Sequence, residues 1–213
     1  MIIQRDLEKA FEYIEPCPES ISTYSYRIHE LIMRTCVEIE ANFKAILNEN
    51  KFTPKINRFG QAILNMEIYK KINVTHHLSS YEISLPIWNG PPRTIRPFKS
   101  WVCGDAPDWY AAYNASKHDR QDEFERANLN NLINAAAGLL VVIASRFYTQ
   151  DFLSGGNAVS FGLDEYHDMN PAIGSLFRIK FPDDRTDDEK YEFNWSELKN
   201  ESNRFEKINY DQI

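Results

Sequence analysis

Five polar side chains that can do chemistry together lie within about two helical turns near the middle of this sequence. They are Asn114, Lys117, His118, Arg120 and Asp122. Because residues four apart share a helix face, we expect Asn114 and His118 to stack, with Asp122 one turn further along. A carboxylate there favours the protonated imidazole. Lys117 and Arg120, on flanking faces, can each hold a phosphate.

Aromatic residues just before this cluster extend the prediction. Tyr110 and Tyr113, with Trp109, offer flat surfaces on which a base can stack. The combination suits general acid–base chemistry on a phosphodiester, in which His118 moves protons and the cations stabilise developing charge. The same residues also suit a structural role in which they cap a helix and bond to neighbouring elements. The residues alone leave both roles open.

The cluster is predicted to lie on one long helix over residues 108–147, with Asp108 as its cap. The second half of this helix is apolar on every side, which indicates a buried position. Its small residues at 135–138 allow close packing, favoured within the domain, with packing across a two-fold axis left open.

A partner helix is predicted over residues 26–47, with Ser25 as its cap and one buried apolar stripe. Its polar side carries Arg34, Glu38 and Asn42, of which Arg34 and Glu38 are expected to support the site. An asparagine of the long helix is expected to face this side and satisfy its amide there. The candidates are Asn128, Asn130, Asn131 and Asn134.

The remaining segments are shorter. Helices are predicted over residues 1–14 and 57–72. Residues 81–101 predict a β-hairpin or a pair of short irregular strands, whose prolines favour an edge position. A strand is predicted at 175–181 and a charged surface loop at 182–190. The last twenty residues form either an exposed helix packed through Trp195 and Leu198 or a frayed tail.

The predicted fold class is therefore mainly α. A helical bundle forms one domain over residues 1–213, with a small β-hairpin insertion at about 81–101 and a loop-rich C-terminal extension over 151–213.

Charge is unevenly distributed along the chain. The net charge is −7, yet residues 51–101 carry eight Lys or Arg against two Glu, so this segment sums to +6 and the remainder to −13. A protein that coats nucleic acid is normally basic overall, so the sequence allows at most a local basic patch. Its residues would be Lys51, Lys55, Arg58, Lys70, Lys71, Arg93, Arg96 and Lys99.

Neither a cofactor nor a metal ion is expected. The three cysteines lack CxxC spacing, which favours free thiols in a reducing cytoplasm. His76 and His77, being adjacent, point to opposite sides of an extended segment. The longest apolar run, at 135–144, is shorter than the ~20 residues of a membrane span, so a cytoplasmic protein without a membrane partner is expected.

Two stretches of the sequence resemble the HEPN superfamily (higher eukaryotes and prokaryotes nucleotide-binding domain). The likeness rests on the YNASKHDR string at 113–120 with its continuation over 127–139, and on the preceding helix IMRTCVEIEANFKAIL. The resemblance implies a small helical bundle that dimerises and acts in bacterial defence or toxin systems as a metal-independent ribonuclease. The expected partners are RNA or a nucleotide, a second copy of the chain and a protein from the same operon.

The family signature is an Arg, commonly followed by Asn, with a His four to six residues after the Arg. Asn114 and His118 match it, but Tyr113 stands where the Arg would be and Arg120 follows the histidine. Either the chain is a non-catalytic relative, or Arg120 or Arg34 supplies the cation from another direction. The two hypotheses are an RNA-cleaving or nucleotide-binding protein that uses His118, Asn114 and Arg120, and a non-catalytic helical interaction module.

Overall fold

The core of the computed structural model is built on two long helices that pack against each other, α2 (Tyr26–Glu49) and α7 (Leu129–Phe147). The structure describes residues 2–147, 168–186, 194–202, 204 and 206–213. The mainly helical class with a small antiparallel sheet is confirmed. Much of the predicted C-terminal extension, including Gly155 and Gly156, lies outside the described residues.

Helix α2 begins as predicted. The Ser25 hydroxyl accepts a hydrogen bond from the Ile28 amide at 3.2 Å, which satisfies one of the free N–H groups of the first turn. Its buried stripe runs from Ile28 through Ile39 and Phe43 to Leu47. Helix α1 (Ile2–Phe11) packs beside it and buries Leu7, within the segment predicted at 1–14.

The single long helix predicted over 108–147 is wrong. The chain instead forms α5 (Asp108–His118), α6 (Arg120–Glu123), a 3₁₀ turn at Phe124–Arg126 and then α7. Pro107, not Asp108, precedes the first helical turn. Two short polar residues explain the breaks: the Asp119 carboxylate accepts from the Asp122 amide at 3.3 Å, and the Asn128 side chain accepts from the Asn131 amide at 3.1 Å. Such residues compete with helix continuation by capping a new helix.

The first turn of α7 is also tied to the chain that precedes α2. The Leu129 amide donates to the Thr23 carbonyl at 2.8 Å, and the Asn130 amide donates to the Ile21 carbonyl at 2.9 Å. Tyr24 and Asn128 form an antiparallel bridge at the same place. This joint holds the beginnings of the two core helices together.

Helix α7 is buried on nearly all sides within the domain. At Gly138 an added Cβ would lie 3.2 Å from the Trp109 ring and 3.6 Å from Pro97, so the predicted close packing of small residues is intramolecular. Among the described residues this is the one helix long and apolar enough to cross a membrane, and 67% of that apolar window is buried inside the molecule. Such burial is consistent with a core helix of a soluble protein.

The helix predicted over 57–72 is also wrong in extent. Helices occur only at α3 (Met66–Tyr69) and α4 (Ile72–His76). Before them the Asn57 side chain accepts from the Phe59 and Gln61 amides at 2.9 and 3.0 Å, and Gly60 has a φ of 78°. A side chain that bonds its own following backbone and a left-handed glycine make a turn rather than a helix.

The predicted hairpin is confirmed as β1 (Glu82–Ser84) paired with β2 (Thr94–Ile95). The sheet order is β2-β1-β4-β3, all antiparallel, where β3 is Asn170–Pro171 and β4 is Arg178–Lys180. The strand predicted at 175–181 is therefore confirmed. The predicted edge position in the sheet is correct for β2 and wrong for β1, which pairs with β2 on one side and β4 on the other. The prolines of this segment follow β1, so every residue of β1 keeps the backbone N–H that pairing requires.

The C-terminal residues are partly anchored. Residues Trp195–Leu198 form the short helix α8, and Tyr210 is fully buried. The Lys71 ammonium donates to the Tyr210 carbonyl at 2.9 Å, and the Asp211 carboxylate accepts from the Thr53 amide at 2.8 Å. In the described part of the predicted surface loop, Arg185 is buried and donates to the Tyr81 hydroxyl at 2.9 Å.

Candidate functional site

His118 is the last residue of α5, and its side chain is exposed to solvent. Within the described residues the imidazole has no hydrogen-bond partner. The predicted line of Asn114, His118 and Asp122 along one helix does not exist, because the helix ends before Asp119. Asp122 lies instead in α6, where its amide donates to Asp119, and no hydrogen bond between His118 and Asp122 is found in the described part of the chain.

Arg120 lies two residues beyond His118 and stacks on aromatic rings. Its guanidinium carbon is 5.0 Å from the centroid of Tyr26, which is 66% exposed, and 5.9 Å from that of Phe124. No carboxylate pairs with Arg120 among the described residues. A guanidinium held over a ring is attracted by the ring's negative face and keeps its N–H donors free for another acceptor.

Phe124 is the centre of a group of rings that we call the aromatic platform. Its ring centroid is 5.0 Å from that of Tyr26, 5.6 Å from that of Tyr24 and 5.7 Å from that of His29. The platform joins the 3₁₀ turn after α6 to the start of α2. Sequence reasoning missed these rings, because the contact joins positions about a hundred residues apart. The one local signal was that two tyrosines, Tyr24 and Tyr26, flank the Ser25 helix cap.

Tyr110 and Tyr113 do not offer stacking surfaces, because both rings are buried. The Tyr110 hydroxyl donates to Glu40 Oε1 on α2 at 2.9 Å, and the Lys117 ammonium donates to the Tyr113 hydroxyl at 3.1 Å. We call Glu40, Tyr110, Tyr113 and Lys117 the buried seam. It joins α5 to α2, and Trp109 is buried beside it with its indole N–H bonded to the Pro97 carbonyl at 2.8 Å.

The electrostatics of the buried seam keep its tyrosines neutral. Burial raises the pKa of Tyr110, and the nearby Glu40 carboxylate raises it further. Burial also raises the pKa of Tyr113. The hydrogen bond with Tyr113 holds the pKa of Lys117 above its usual value, so this exposed side chain stays cationic. Asn114 is half-buried, one turn after Tyr110 on the same helix, and its amide acts to lower the pKa of Tyr110.

The supporting residues predicted on α2 have other partners. Arg34 Nη2 lies 2.5 Å from Asp6 Oδ2 of α1, so its charge is already paired with a carboxylate. Glu38 is exposed, and its carbonyl accepts from the Asn42 side chain at 2.9 Å. Asn42 in turn accepts from Arg146 at 2.9 Å, in the last turn of α7.

The asparagines that begin α7 therefore do not fill the predicted position beside α2. Asn128 caps the helix, and Asn131 donates to the Arg126 carbonyl at 2.8 Å. Asn130 accepts from Arg93 of the hairpin segment, and Asn134 donates to the Asn130 carbonyl at 2.8 Å. These amides are satisfied within α7, by the 3₁₀ turn before it and by the hairpin segment.

The basic segment at 51–101 is divided between several places. Lys70 pairs with Glu67 at 3.2 Å and Lys71 holds the C-terminal residues, while Arg58 stacks on the exposed Phe59 ring at 4.7 Å. Arg93, Arg96 and Lys99 together line a groove on another part of the surface. In the described part of the chain, no group of three or more His, Cys, Asp or Glu side chains is placed to hold a metal ion.

The site residues thus fall into two groups. His118, Arg120, Tyr24 and Tyr26 are exposed to solvent, whereas Tyr110 and Tyr113 are buried where α5 packs against α2, and Asn114 is half-buried. An exposed imidazole two residues from a guanidinium that stacks on an exposed ring supplies groups that can contact a single-stranded nucleic acid. Comparison of the chain with protein-family models, with curated proteins and with solved structures finds no match.

Proposed function

We propose that this chain is a HEPN-like protein that binds single-stranded RNA and cleaves it without a metal ion, within a bacterial defence or toxin-like system in the cytoplasm. One observation carries the proposal: the solvent-exposed His118 imidazole lies two residues from Arg120, whose guanidinium stacks on the exposed Tyr26 ring. Neither side chain is bonded to a carboxylate within the described residues. Both are therefore free to meet a phosphodiester.

Cleavage of RNA by its own 2′-hydroxyl requires two proton transfers. A base takes the proton of the 2′-hydroxyl as its oxygen attacks phosphorus, and an acid protonates the 5′-oxygen as the P–O5′ bond breaks. The products are a 2′,3′-cyclic phosphate and a 5′-hydroxyl. One His118 performs one transfer at a time, so two copies of the chain facing each other would supply both.

The other side chains have supporting roles in this proposal. Arg120 donates to the phosphate oxygens and stabilises the charge that develops on them. Tyr26 stacks against a base next to the scissile bond. Lys117 adds positive charge near the end of α5, and its bond to Tyr113 fixes where that charge lies. Asn114 lies one turn before His118 on the same face of α5 and orients the phosphate or the imidazole.

The alternative is a non-catalytic helical interaction module, and the buried seam favours it. Tyr110 and Tyr113, two of the residues predicted to form the site, are buried, and Tyr110 bonds to Glu40 of α2. Under this alternative, the aromatic platform binds a partner protein and His118 moves no proton.

A cleavage assay separates the two. The protein is incubated with a fluorophore-labelled single-stranded RNA in the presence of EDTA, and His118→Ala is compared with the wild type. We expect a loss of about 10²- to 10⁴-fold in rate, as for removal of a general acid or base. The melting temperature should stay unchanged, because His118 has no internal bond among the described residues.

Arg120→Ala should also lower the rate, and Arg58→Ala is its matched control because Arg58 stacks on an exposed ring elsewhere on the surface. Intact RNA with the wild-type protein, despite binding to it, would favour the interaction module. If the wild-type protein does not bind RNA, the proposal is overturned.

A further inference from the structure

Three large apolar side chains are exposed on a short loop that precedes α3. Ile56 is 57% exposed, Phe59 72% and Ile63 41%. We call residues 55–63 the apolar loop, and eight of its nine residues are exposed. The next residue, Leu64, packs against the core, so the loop is anchored at its base while its apolar side chains stay in solvent. Single exposed apolar residues are ordinary, whereas three on one loop indicate a surface that meets another molecule.

The polar groups of the apolar loop bond to one another. The Ile63 amide donates to the Lys55 carbonyl at 2.7 Å, and the Asn57 amide donates to the Gln61 carbonyl at 2.8 Å. The Asn57 side chain accepts from two amides of the turn and donates to the Gln61 side chain at 3.3 Å. Because these groups already have partners, moving the loop out of bulk water costs less free energy than moving an open chain.

The three apolar side chains surround the loop and do not form one flat patch. Ile56 and Ala62 are an antiparallel bridge pair, and Ile63 lies opposite Lys55. Because successive residues of an extended segment point to opposite faces, Ile56 lies on one face and Ile63 on the other, with Phe59 in the turn between them. A folded partner protein would cover one face only. An RNA strand would meet the Phe59 ring but offers no apolar surface to the isoleucines, whereas a fluid lipid layer contacts all three side chains.

The apolar loop is also positively charged. Residues 51–66 contain three cations and no Asp or Glu, while the whole chain has a net charge of −7, so the remainder sums to −10. The cations are Lys51, Lys55 and Arg58. Arg58 stacks on Phe59, and none of the three pairs with a carboxylate in the described part of the chain. The Asp211 carboxylate bonds to Thr53, two residues before the loop, and not to its tip. This charge distribution directs the loop toward an anionic surface.

We propose that the apolar loop inserts into the surface of a membrane that contains anionic phospholipids. Phe59 and the two isoleucines would enter the boundary between headgroups and acyl chains, where aromatic rings are favoured. Lys55 and Arg58 would stay level with the phosphates, since long cationic side chains reach from apolar surface to water. A loop that enters only this layer needs no spanning helix, so the short apolar runs of the sequence are compatible with it. None of these residues belongs to the proposed RNA-cleaving site.

Sedimentation with lipid vesicles measures this binding. Vesicles of phosphatidylcholine alone are compared with vesicles of equal parts phosphatidylcholine and phosphatidylglycerol. We expect binding to the anionic vesicles to be at least about ten-fold tighter and to weaken as salt is added. Phe59→Ser should weaken it about ten-fold through the loss of apolar burial. Tyr13→Ser removes an exposed ring outside the apolar loop and should bind like the wild type. Both side chains are exposed, so both variants should keep the wild-type melting temperature.

A further variant measures insertion itself. Phe59→Trp keeps an aromatic ring, and its fluorescence is compared with that of the wild type, whose four tryptophans give the background. With brominated acyl chains in the anionic vesicles, we expect additional quenching in Phe59→Trp alone. Binding without that quenching would mean adsorption by charge and would overturn the proposal, as would no binding to anionic vesicles or equal binding by Phe59→Ser and the wild type. RNA cleavage by Phe59→Ser should match the wild type, so failure of membrane binding and failure of RNA cleavage are recognised separately.

Discussion

The buried seam and the aromatic platform are built from similar residues and have opposite environments. Each places a tyrosine of one helix beside a cation, Tyr113 with Lys117 and Tyr26 with Arg120. In the buried seam the ring is 1% exposed and the cation is bonded to its hydroxyl, whereas in the aromatic platform the ring is 66% exposed and the cation is free of hydrogen bonds within the described residues. Burial, rather than residue type, separates a pair that holds the fold from one that can bind a ligand.

The largest effect that we expect is the difference in stability between a variant of the buried seam and a variant of the aromatic platform. Tyr113→Ala removes a fully buried ring and should lower the free energy of unfolding by about 3–5 kcal/mol. Tyr26→Ala removes an exposed ring and should change it by no more than about 0.5 kcal/mol. Urea unfolding followed by circular dichroism measures both. Equal destabilisation by the two variants would mean that the aromatic platform is itself a structural element.

Removing only the Tyr110 hydroxyl of the buried seam should lower the free energy of unfolding by a smaller amount. Tyr110→Phe keeps the buried ring but removes the donor to Glu40, and a hydrogen bond to a charged group is worth about 1.5–3 kcal/mol. Tyr13→Phe is the matched control, because Tyr13 is 87% exposed. The comparison is made by urea unfolding at neutral pH. An unchanged midpoint for Tyr110→Phe would show that the Glu40 bond contributes nothing to the joining of α5 and α2.

On the aromatic platform, the matching experiment concerns affinity. Tyr26→Leu keeps an apolar side chain but removes the flat ring, and loss of base stacking costs about 1–3 kcal/mol per base. We therefore expect binding of a short single-stranded RNA, measured by fluorescence anisotropy, to weaken by about ten-fold or more. Phe59→Leu, at another exposed ring, should bind like the wild type. Similar losses in both variants would contradict a specific role for the platform.

The smallest expected effect concerns the paired cation Arg34. Its hydrogen bond to Asp6 lowers the pKa of that carboxyl below its ordinary value. A carboxyl with a lowered pKa in the folded state stabilises the protein above its unfolded pKa, and this contribution is lost as the pH falls through the lowered value. The difference in melting temperature between wild type and Asp6→Asn should therefore shrink on acidification from neutral pH. Glu8→Gln is the control variant, because Glu8 lies on the same helix and has no ion pair in the described part of the chain.

Much of the fold could be predicted from local patterns. The Ser25 cap, the buried stripe of α2, the hairpin and the strand at β4 all depend on residues that are near one another in sequence. The breaks between α5 and α7 were missed, because Asp119 and Asn128 are tolerated in helices and cap new ones only when the surrounding chain is placed to accept the turn.

The candidate site was predictable only in part. The exposure of His118 and Arg120 follows from a polar string at a helix end. The burial of Tyr110 and Tyr113 depends on the packing of α5 against α2, where Tyr110 bonds to Glu40 seventy residues earlier, and the aromatic platform depends on a contact between Tyr26 and Phe124. Contacts of this kind are decided by how the helices pack, and a local pattern cannot supply that information.

The backbone joint between residues 21–24 and 128–130 connects the aromatic platform to the first turn of the core helix α7, so a ligand on the platform would change the dynamics of that turn. Tyr24 and Tyr26 emerge from one side of this joint and Phe124 from the other. A molecule clamped by these rings would restrain both sides at once, and so slow the opening fluctuations that let the Leu129 and Asn130 amides exchange with deuterium. Binding of a ligand to the aromatic platform could then be measured as slower amide exchange in the first turn of α7.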